Sequence, residues 1–483
     1  MIRFIPIALA APLAAPLPGP ATPAPAGGRP PNILVLVADD LGYADVSFNP
    51  RHAKEVATPR LDALAQAGVV CRQGYVPGNV CSPTRAGLLT GRYPQRCGIY
   101  TGGEGGSGLP LSESILPQFL KPAGYVSAAF GKWHLGLTPP YHPVSRGFDA
   151  FYGFLGRGAH DYFKLDDPDS PLYRGLEPIR DKGYLTDRLG EEAAAFIARH
   201  AKQPFFVYLA FNAVHAPLQA PADEIAKFDT GNMDRNTILA MGKRLDDAVG
   251  HVVETLKREG VWENTLTFFL GDNGGALSRS SDNTPLRGGK HQDFEGGIRV
   301  PFLVCWPDRL KGGVDFIPPV TALDIVPTAL SAAGVSPPPG RPFDGIDLLP
   351  LLRGEAEPAP RRLFWASASA GWWAVRDGDW KLVCDGRHLG LYDLAHDVQE
   401  EKNLAGDQPD QVAALRALHD AWLAGLADPI KGGPRRMEPP AAATPPSTAV
   451  QSDRDRRRQE RREERRAERK LESTSPTSDK GRR

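Results

Sequence analysis

Four apolar runs along the chain each end in a polar cluster. Asn-Ile-Leu-Val-Leu-Val at Asn32 to Val37 leads into Ala38-Asp39-Asp40. Tyr125 to Phe130 leads into Gly131-Lys132-Trp133-His134, and Pro204 to Phe211 into Asn212-Ala213-Val214-His215. Leu266 to Leu270 leads into Gly271-Asp272-Asn273. Short apolar runs without alternation predict strands covered on both faces, as in a parallel sheet. Between them the period changes. Leu239, Leu245, Val249, Val252 and Leu256 recur at helical spacing within Asn236 to Arg258 and predict a core-facing helix. Thr58-Pro59 starts another helix, with Thr58 as its cap and Gly68 closing it. A further helix starts at Asp324 and ends near Gly334. This interleaving predicts an α/β fold with a large, mostly parallel central sheet flanked by helices.

Ligands of such sheets bind at the carboxyl ends of the strands. That edge is where Asp39, Asp40, Lys132, His134, His215, Asp272 and Asn273 would meet. Adjacent carboxylates there are either a solvated turn or groups paired with cations or metal. Three carboxylates and an amide form a hard oxygen cage, suited to Ca2+ or Mg2+ and not to zinc.

The stretch Cys81-Ser82-Pro83-Thr84-Arg85-Ala86-Gly87-Leu88-Leu89-Thr90-Gly91-Arg92 reads as a loop entering a helix. Pro83 suits a first turn, and Cys81 and Arg85, four apart, share one face. Free N–H groups at the helix start add a site for a tetrahedral anion. On its own the cysteine is open to several readings: a small buried apolar residue, half of a disulfide, or a thiolate nucleophile.

Beyond Pro337-Pro338-Pro339-Gly340 the pattern changes again. Trp373 to Asp377, Trp380 to Cys384 and Gly390 to Leu394 read as short strands joined at Asp377-Gly378 and Asp385-Gly386. A helix over about Gln408 to Ala427 would pack on them. The expected organisation is a catalytic domain over 31–336 and a C-terminal subdomain over 341–430, with a small antiparallel sheet and a helix. Asp149 to Tyr184 shows no period and reads as long loops walling a cleft, with Arg157, His160, Asp161 and Tyr162 as candidate substrate contacts.

Composition narrows the classes. The chain has 483 residues, with 57 basic and 57 acidic side chains, so net charge points to neither nucleic acid nor a membrane surface. Residues 1–26 combine Arg3, an Ala-rich apolar run and Ala24-Pro25-Ala26, as in a secretory signal peptide, and imply a secreted or periplasmic protein. Pro6, Pro12 and Pro16 break that run, which is too short to span a membrane. Setting Cys81 aside, the five cysteines leave four for zero, one or two disulfides. Residues 431–483 turn Pro/Ala-rich and then Arg/Glu-rich, a composition that cannot bury a core and predicts a disordered tail.

The Cys81 to Arg92 stretch resembles the signature of the type I sulfatases, formylglycine-dependent, arylsulfatase-like members of the alkaline phosphatase superfamily. Gly131-Lys132-Trp133-His134-Leu135-Gly136, the segment around His215, Gly271-Asp272-Asn273 and the Pro285 to Pro301 segment with Lys290 sit in the matching order. Leu391-Tyr392-Asp393-Leu394 with Asp397, Glu400 and Asn403 resembles the family's C-terminal subdomain. The resemblance spans about Pro31 to Ala427 and implies an alkaline-phosphatase-like sandwich. It also implies that Cys81 is oxidised to formylglycine by a dedicated maturation enzyme. Asp39, Asp40, residue 81, Asp272 and Asn273 would hold Ca2+, with Mg2+ as the other candidate. Cys81, Arg85, Lys132, His134, His215 and Lys290 would form the catalytic set, with Lys290 on the sulfate. One hydroxyl of the hydrated aldehyde would attack sulfur, His215 or Lys290 would protonate the leaving alcohol, and His134 would assist release of sulfate. His291 lies outside the family pattern. The expected reaction is hydrolysis of sulfate esters, of carbohydrates by family precedent. Two other functions remain open: a phosphodiesterase or phosphonate monoester hydrolase of the same superfamily, and an inactive binder of sulfated glycans if Cys81 stays a thiol.

Overall fold

In the central sheet, the Asn32–Ala38 strand lies between parallel neighbours Phe205–Ala210 and Thr265–Gly271. The computed structural model describes residues 29–102, 108–156, 159–367 and 371–430. The leader, the Arg/Glu-rich tail and Arg157 fall outside them. The sheet has ten strands, in the order Val314–Phe316, Val69–Cys71, Phe302–Cys305, Thr265–Gly271, Asn32–Ala38, Phe205–Ala210, Val126–Lys132, Ala150–Phe154, Leu172–Arg174, Glu177–Ile179. The four strands expected from the sequence are adjacent and mutually parallel at its centre.

Their unbroken apolar character follows from burial on both faces. Leu34 and Leu36 pack with Leu189, Phe196, Leu245, Val249 and Val252 of two long helices, Leu185–His200 and Met233–Arg258. Ile33, Val35 and Val37 face the opposite layer, with Leu88, Leu89, Ile325 and Val326 of helices Cys81–Thr90 and Ile325–Ala333. The register pairs Val37 with Ala210 and Ala38 with Gly271, so these three strands end level. Lys132 closes the next strand, in which Gly131 pairs with Ala210.

Several local expectations are corrected. The long helix starts at Met233, three residues before Asn236, because the Asn232 side chain caps it by accepting from Arg235 N at 3.2 Å. Thr58 makes no side-chain cap; its hydroxyl accepts from Ser47 N at 2.9 Å. The Pro59–Ala67 helix is capped from across the fold, with Asp246 accepting from Arg60 N at 3.0 Å and Leu61 N at 2.8 Å. The 149–184 segment is not all loop. It supplies the three strands at one sheet edge. None of the five cysteines is paired with another.

The C-terminal sheet has four antiparallel strands: Arg362–Ala366, Trp372–Asp377, Trp380–Asp385 and Leu389–Asp393. One face takes the Pro409–Ala424 helix through Leu415, packed with Trp373, Val375, Leu382 and Leu391. The other face packs Leu363, Trp365, Ala374 and Val383 against Tyr75, Phe294 and Ile298 beside the large sheet. Trp365 Nε1 donates to Val76 O at 2.7 Å across that join.

Burial pushes the Asp246 carboxyl up to about 6 from its ordinary 3.8, against the pull of the two amides it caps. Between those pH values the unfolded chain releases its proton first, so stability is lost as pH rises through the window. Asp246→Asn keeps an acceptor and removes the titration. Its melting temperature relative to wild type should rise by about 2 °C between about pH 4 and about pH 7 in thermal melts. A difference that does not change with pH would contradict this account.

Candidate active site

The level strand ends bring the polar clusters to one point, and the Cys81–Thr90 helix aims its first turn there. Cys81 Sγ donates to Asp39 Oδ1 at 3.3 Å. The other oxygen of Asp39 takes Lys132 Nζ at 2.5 Å, with Arg85 Nη2 at 3.5 Å. Arg85 also donates to Asp272 Oδ2 from Nε and Nη2, at 3.1 and 2.7 Å, and from Nη1 to Lys132 O at 3.0 Å. Cys81 and Arg85 do share one face, and Asp39 sits against it. Lys290 reaches Asp40 Oδ2 at 2.8 Å from the neighbouring loop. His215 Nε2 lies 3.6 Å from the same oxygen. Its Nδ1 is directed at Ala216 O, at 2.6 Å, which leaves Nε2 as the nitrogen facing Asp40.

Asp40 and His134 both have φ of +58°. Left-handed backbone at non-glycine residues is a local strain of about 1–3 kcal/mol, and here it occurs at two residues of one site. His134 is buried and neither ring nitrogen has a hydrogen-bond partner among the described residues. Burial, then the charges of Lys132, Arg85 and Lys290, hold this imidazole well below its usual range, as a neutral base. Burial resists ionisation of Asp39, but Lys132, His215 and Arg85 outweigh it and the carboxyl stays below its ordinary value. Burial, with Asp272 and Asp39, pushes the Cys81 thiol up. A thiol held in that form is a weak nucleophile.

Asp39, Asp40, Cys81 and His215 each place one ligating atom within 4.8 Å of the others. Asn273 adjoins them, donating from Nδ2 to Asp40 Oδ1 at 2.8 Å. Its Oδ1 is buried with no hydrogen-bond partner among the described residues. An orphaned amide oxygen beside two carboxylates fits a hard divalent cation. Asp272 is committed elsewhere as well: Oδ1 accepts Asp40 N at 3.2 Å and Oδ2 holds Arg85.

The cluster opens into a solvent-exposed cleft of about 380 Å³, lined by Asp40, His215, Lys290, Leu277, Arg279, His291 and Gln292. His291 thus lies at the cleft. Three other loop candidates are structural instead. His160 is buried with its two nitrogens at Asp161 O and Ser170 O. Asp161 accepts from Phe163 N, Lys164 N and Gln219 Nε2. Tyr162, fully buried, places its hydroxyl 2.6 Å from Asn212 O and 2.8 Å from His215 O, a strut beneath the His215 turn. No signal in the sequence marked Tyr208, whose hydroxyl is pushed up by burial against the opposing pull of the adjacent Arg85. Lys381 also escaped, a fully buried cation whose one warning was its inward position on a strand.

Comparison with known proteins places the chain in a family. Residues 31–335 match the family model described as Sulfatase, and residues 289–423 match N-sulphoglucosamine sulphohydrolase, C-terminal. The chain is 37% identical over 361 residues to N-acetylgalactosamine-6-sulfatase of Mus musculus, covering 69% of this chain and 68% of that one. It is 32% identical over 492 residues to the uncharacterized sulfatase YdeN of Escherichia coli (strain K12), covering 83% and 86%. Among solved structures, Ps i-CgsB in complex with k-i-k-neocarrahexaose superposes with a TM-score of 0.79 at 34% identity, covering 83% of this chain and 94% of that one. The chain therefore belongs to the sulfatase family of the alkaline phosphatase superfamily and is a sulfuric ester hydrolase.

Proposed function

We propose that this sulfatase removes sulfate from carbohydrate esters, using a formylglycine made from Cys81 and a bound Ca2+. The observation that carries the reading is the position of Cys81: it touches Asp39 inside a ring of Arg85, Lys132 and Lys290. Fixed cations around one reacting position suit an anionic group whose charge shifts in the transition state. Burial pushes the thiol up and makes it a poor nucleophile, which favours an oxygen nucleophile at this position. The sugar substrate is supported by the oligosaccharide named in the Ps i-CgsB complex and by the N-acetylgalactosamine-6-sulfatases among the relatives. The leader composition favours export, and Mg2+ is the alternative ion.

Asp39, Asp40, Asp272, Asn273 and residue 81 would hold the cation, with Asp272 also orienting Arg85 and the Asp40 backbone beside it. When bound, the cation supplies polarisation of an oxygen at residue 81 and offsets the sulfate charge. Arg85, clamped by Asp272, cannot swing away and keeps its charge against the site. Lys132 is fully buried and fixes Asp39, whereas Lys290 is partly open to the cleft and can meet a substrate oxygen. His215, whose Nδ1–H donates to Ala216 O, would give a proton from Nε2 to the leaving alcohol as the doubly protonated imidazolium. His134 stays neutral and serves as proton acceptor beside residue 81. Water is consumed, the ester bond to sulfur breaks, and alcohol and inorganic sulfate leave.

Peptide mass spectrometry of the segment around residue 81, from protein made in its source cell, should show an aldehyde in place of the thiol. An alkylatable thiol in all copies would overturn the formylglycine claim and favour an inactive glycan binder. Lys290→Ala should lower kcat for an aryl sulfate about 10²–10³-fold, the usual loss for one fixed electrostatic contact. Chelation should abolish turnover and Ca2+ should restore it better than Zn2+; activity that survives exhaustive chelation would remove the cation from this scheme. Faster turnover of an aryl phosphonate than of the aryl sulfate would favour the phosphonate hydrolase reading.

A further inference from the structure

Lys290 sits at the tip of a tight loop, next to His291 N, which donates to Asn79 O at 2.9 Å, and close to Gly288 O, which accepts Asn283 Nδ2 at 3.1 Å. The Lys290 backbone N–H reaches Gly275 O at 3.2 Å, and Gly289 and Gln292 bond to one another. The base of the loop is closed by Gly296 N donating to Arg287 O at 2.8 Å. Both feet of that base, Arg287 and Glu295, are held by a single residue of the C-terminal region, Glu400. Its carbonyl oxygen accepts Arg287 Nη1 at 2.8 Å, and its carboxylate accepts Glu295 N at 2.7 Å. We infer that Glu400 is a positioning residue for the reaction, fixing the height and direction of Lys290 over Asp40 by gripping both ends of the loop that carries it.

The grip is built with effort that a simple surface turn does not need. Glu400 is buried, and its φ is +54°, a left-handed conformation at a non-glycine residue. That conformation occurs where one residue presents both its carbonyl and its side chain to the loop base. Lys381 Nζ lies 2.9 Å from a Glu295 oxygen and 2.9 Å from a Glu400 oxygen, and all three side chains are fully buried. Lys381 comes from the Trp380–Asp385 strand, on the same face as Val383. The second oxygen of Glu295 accepts Tyr75 Oη–H at 2.6 Å and lies 3.3 Å from Arg299 Nη1. Arg287 adds a bond to Tyr392 Oη at 3.1 Å, and its guanidinium lies 3.9 Å from the Phe294 ring centre. The loop base is therefore wired into the C-terminal sheet by buried charge, while the tip with Lys290 projects into the cleft. A shift of about 1 Å in a group that contacts the reacting atoms is enough to cost about 10²-fold in rate.

The inference rests on the reading of Lys290 as a substrate-contacting group. The test is a double-mutant cycle on matured, cation-loaded enzyme: wild type, Glu400→Ala, Lys290→Ala and the double variant. The readouts are kcat and KM for an aryl sulfate, competitive inhibition by inorganic sulfate, and melting temperature. Glu400→Ala should lower kcat/KM by about 10–100-fold and weaken inhibition by sulfate, with both effects absent in the Lys290→Ala background. An equal loss in both backgrounds would mean a purely structural role and would overturn the inference, as would unchanged kinetics of Glu400→Ala. Wild-type activity of Lys290→Ala alone would refute the role of Lys290 first, and this inference with it. Where Glu400→Ala does not fold, Arg287→Lys tests the same grip. It takes away Nη1, which donates to both Glu400 O and Tyr392 Oη, and the same cycle with Lys290→Ala should again show no added loss.

Discussion

The carboxylate of Asp39 is the interaction on which the site depends. It is fully buried, yet three polar partners, Lys132, Arg85 and the Cys81 thiol, take their positions from it. A charge withdrawn from water must meet opposite charge and hydrogen bonds at close range. Leaving one partner of such a buried pair alone costs about 3–5 kcal/mol. Asp39 stands just past a strand covered on both faces, so it has no route to solvent. The cations consequently have to come to it, one from the end of the strand two places along the sheet and one from a helix on the other layer. The mostly parallel sheet makes this possible, because its central strands end level and pointing the same way.

Much of this was legible in the chain. The strand Asn32–Ala38 is apolar on both faces because Leu34 and Leu36 serve one helical layer and Ile33, Val35 and Val37 the other. That double burial erases alternation, and the erasure itself can be read. The cluster of Asp39, Lys132, His134, His215, Asp272 and Lys290 was legible because each residue follows a strand or belongs to a sulfatase segment. What escaped was set by partners remote in sequence. Thr58 has the chemistry of a cap, but Ser47 occupies its hydroxyl and Asp246 caps the helix from 186 residues away. Tyr162 has the look of a loop contact, and its role as a strut depends on the His215 turn lying above it. The strand Arg362–Ala366 was missed although Leu363 and Trp365 alternate inward, because its neighbours carried stronger turn signals.

The C-terminal sheet has two unlike faces. Toward the Pro409–Ala424 helix it is an ordinary apolar layer. Toward the large sheet it mixes aromatic rings with Lys381 and Arg376, both buried. Arg376 Nη1 donates to Tyr75 Oη at 2.5 Å, and that same hydroxyl donates to Glu295. Apolar packing alone would tolerate sliding of one sheet over the other. A directional network of charges does not, since displacement leaves a buried group unpaired.

Every residue of the Cys81–Thr90 helix is buried, and Cys81 itself is only 4% exposed. A segment closed in this way leaves no room for the extended grip that another enzyme needs on a peptide segment. Any catalyst that alters the side chain at position 81 must therefore reach it before the helix docks between Asp39 and the strand ends. If an enzyme alters Cys81, packing sets the order of events: that chemistry would have to precede docking of the helix, and a copy that closed first would be sealed in its unaltered form.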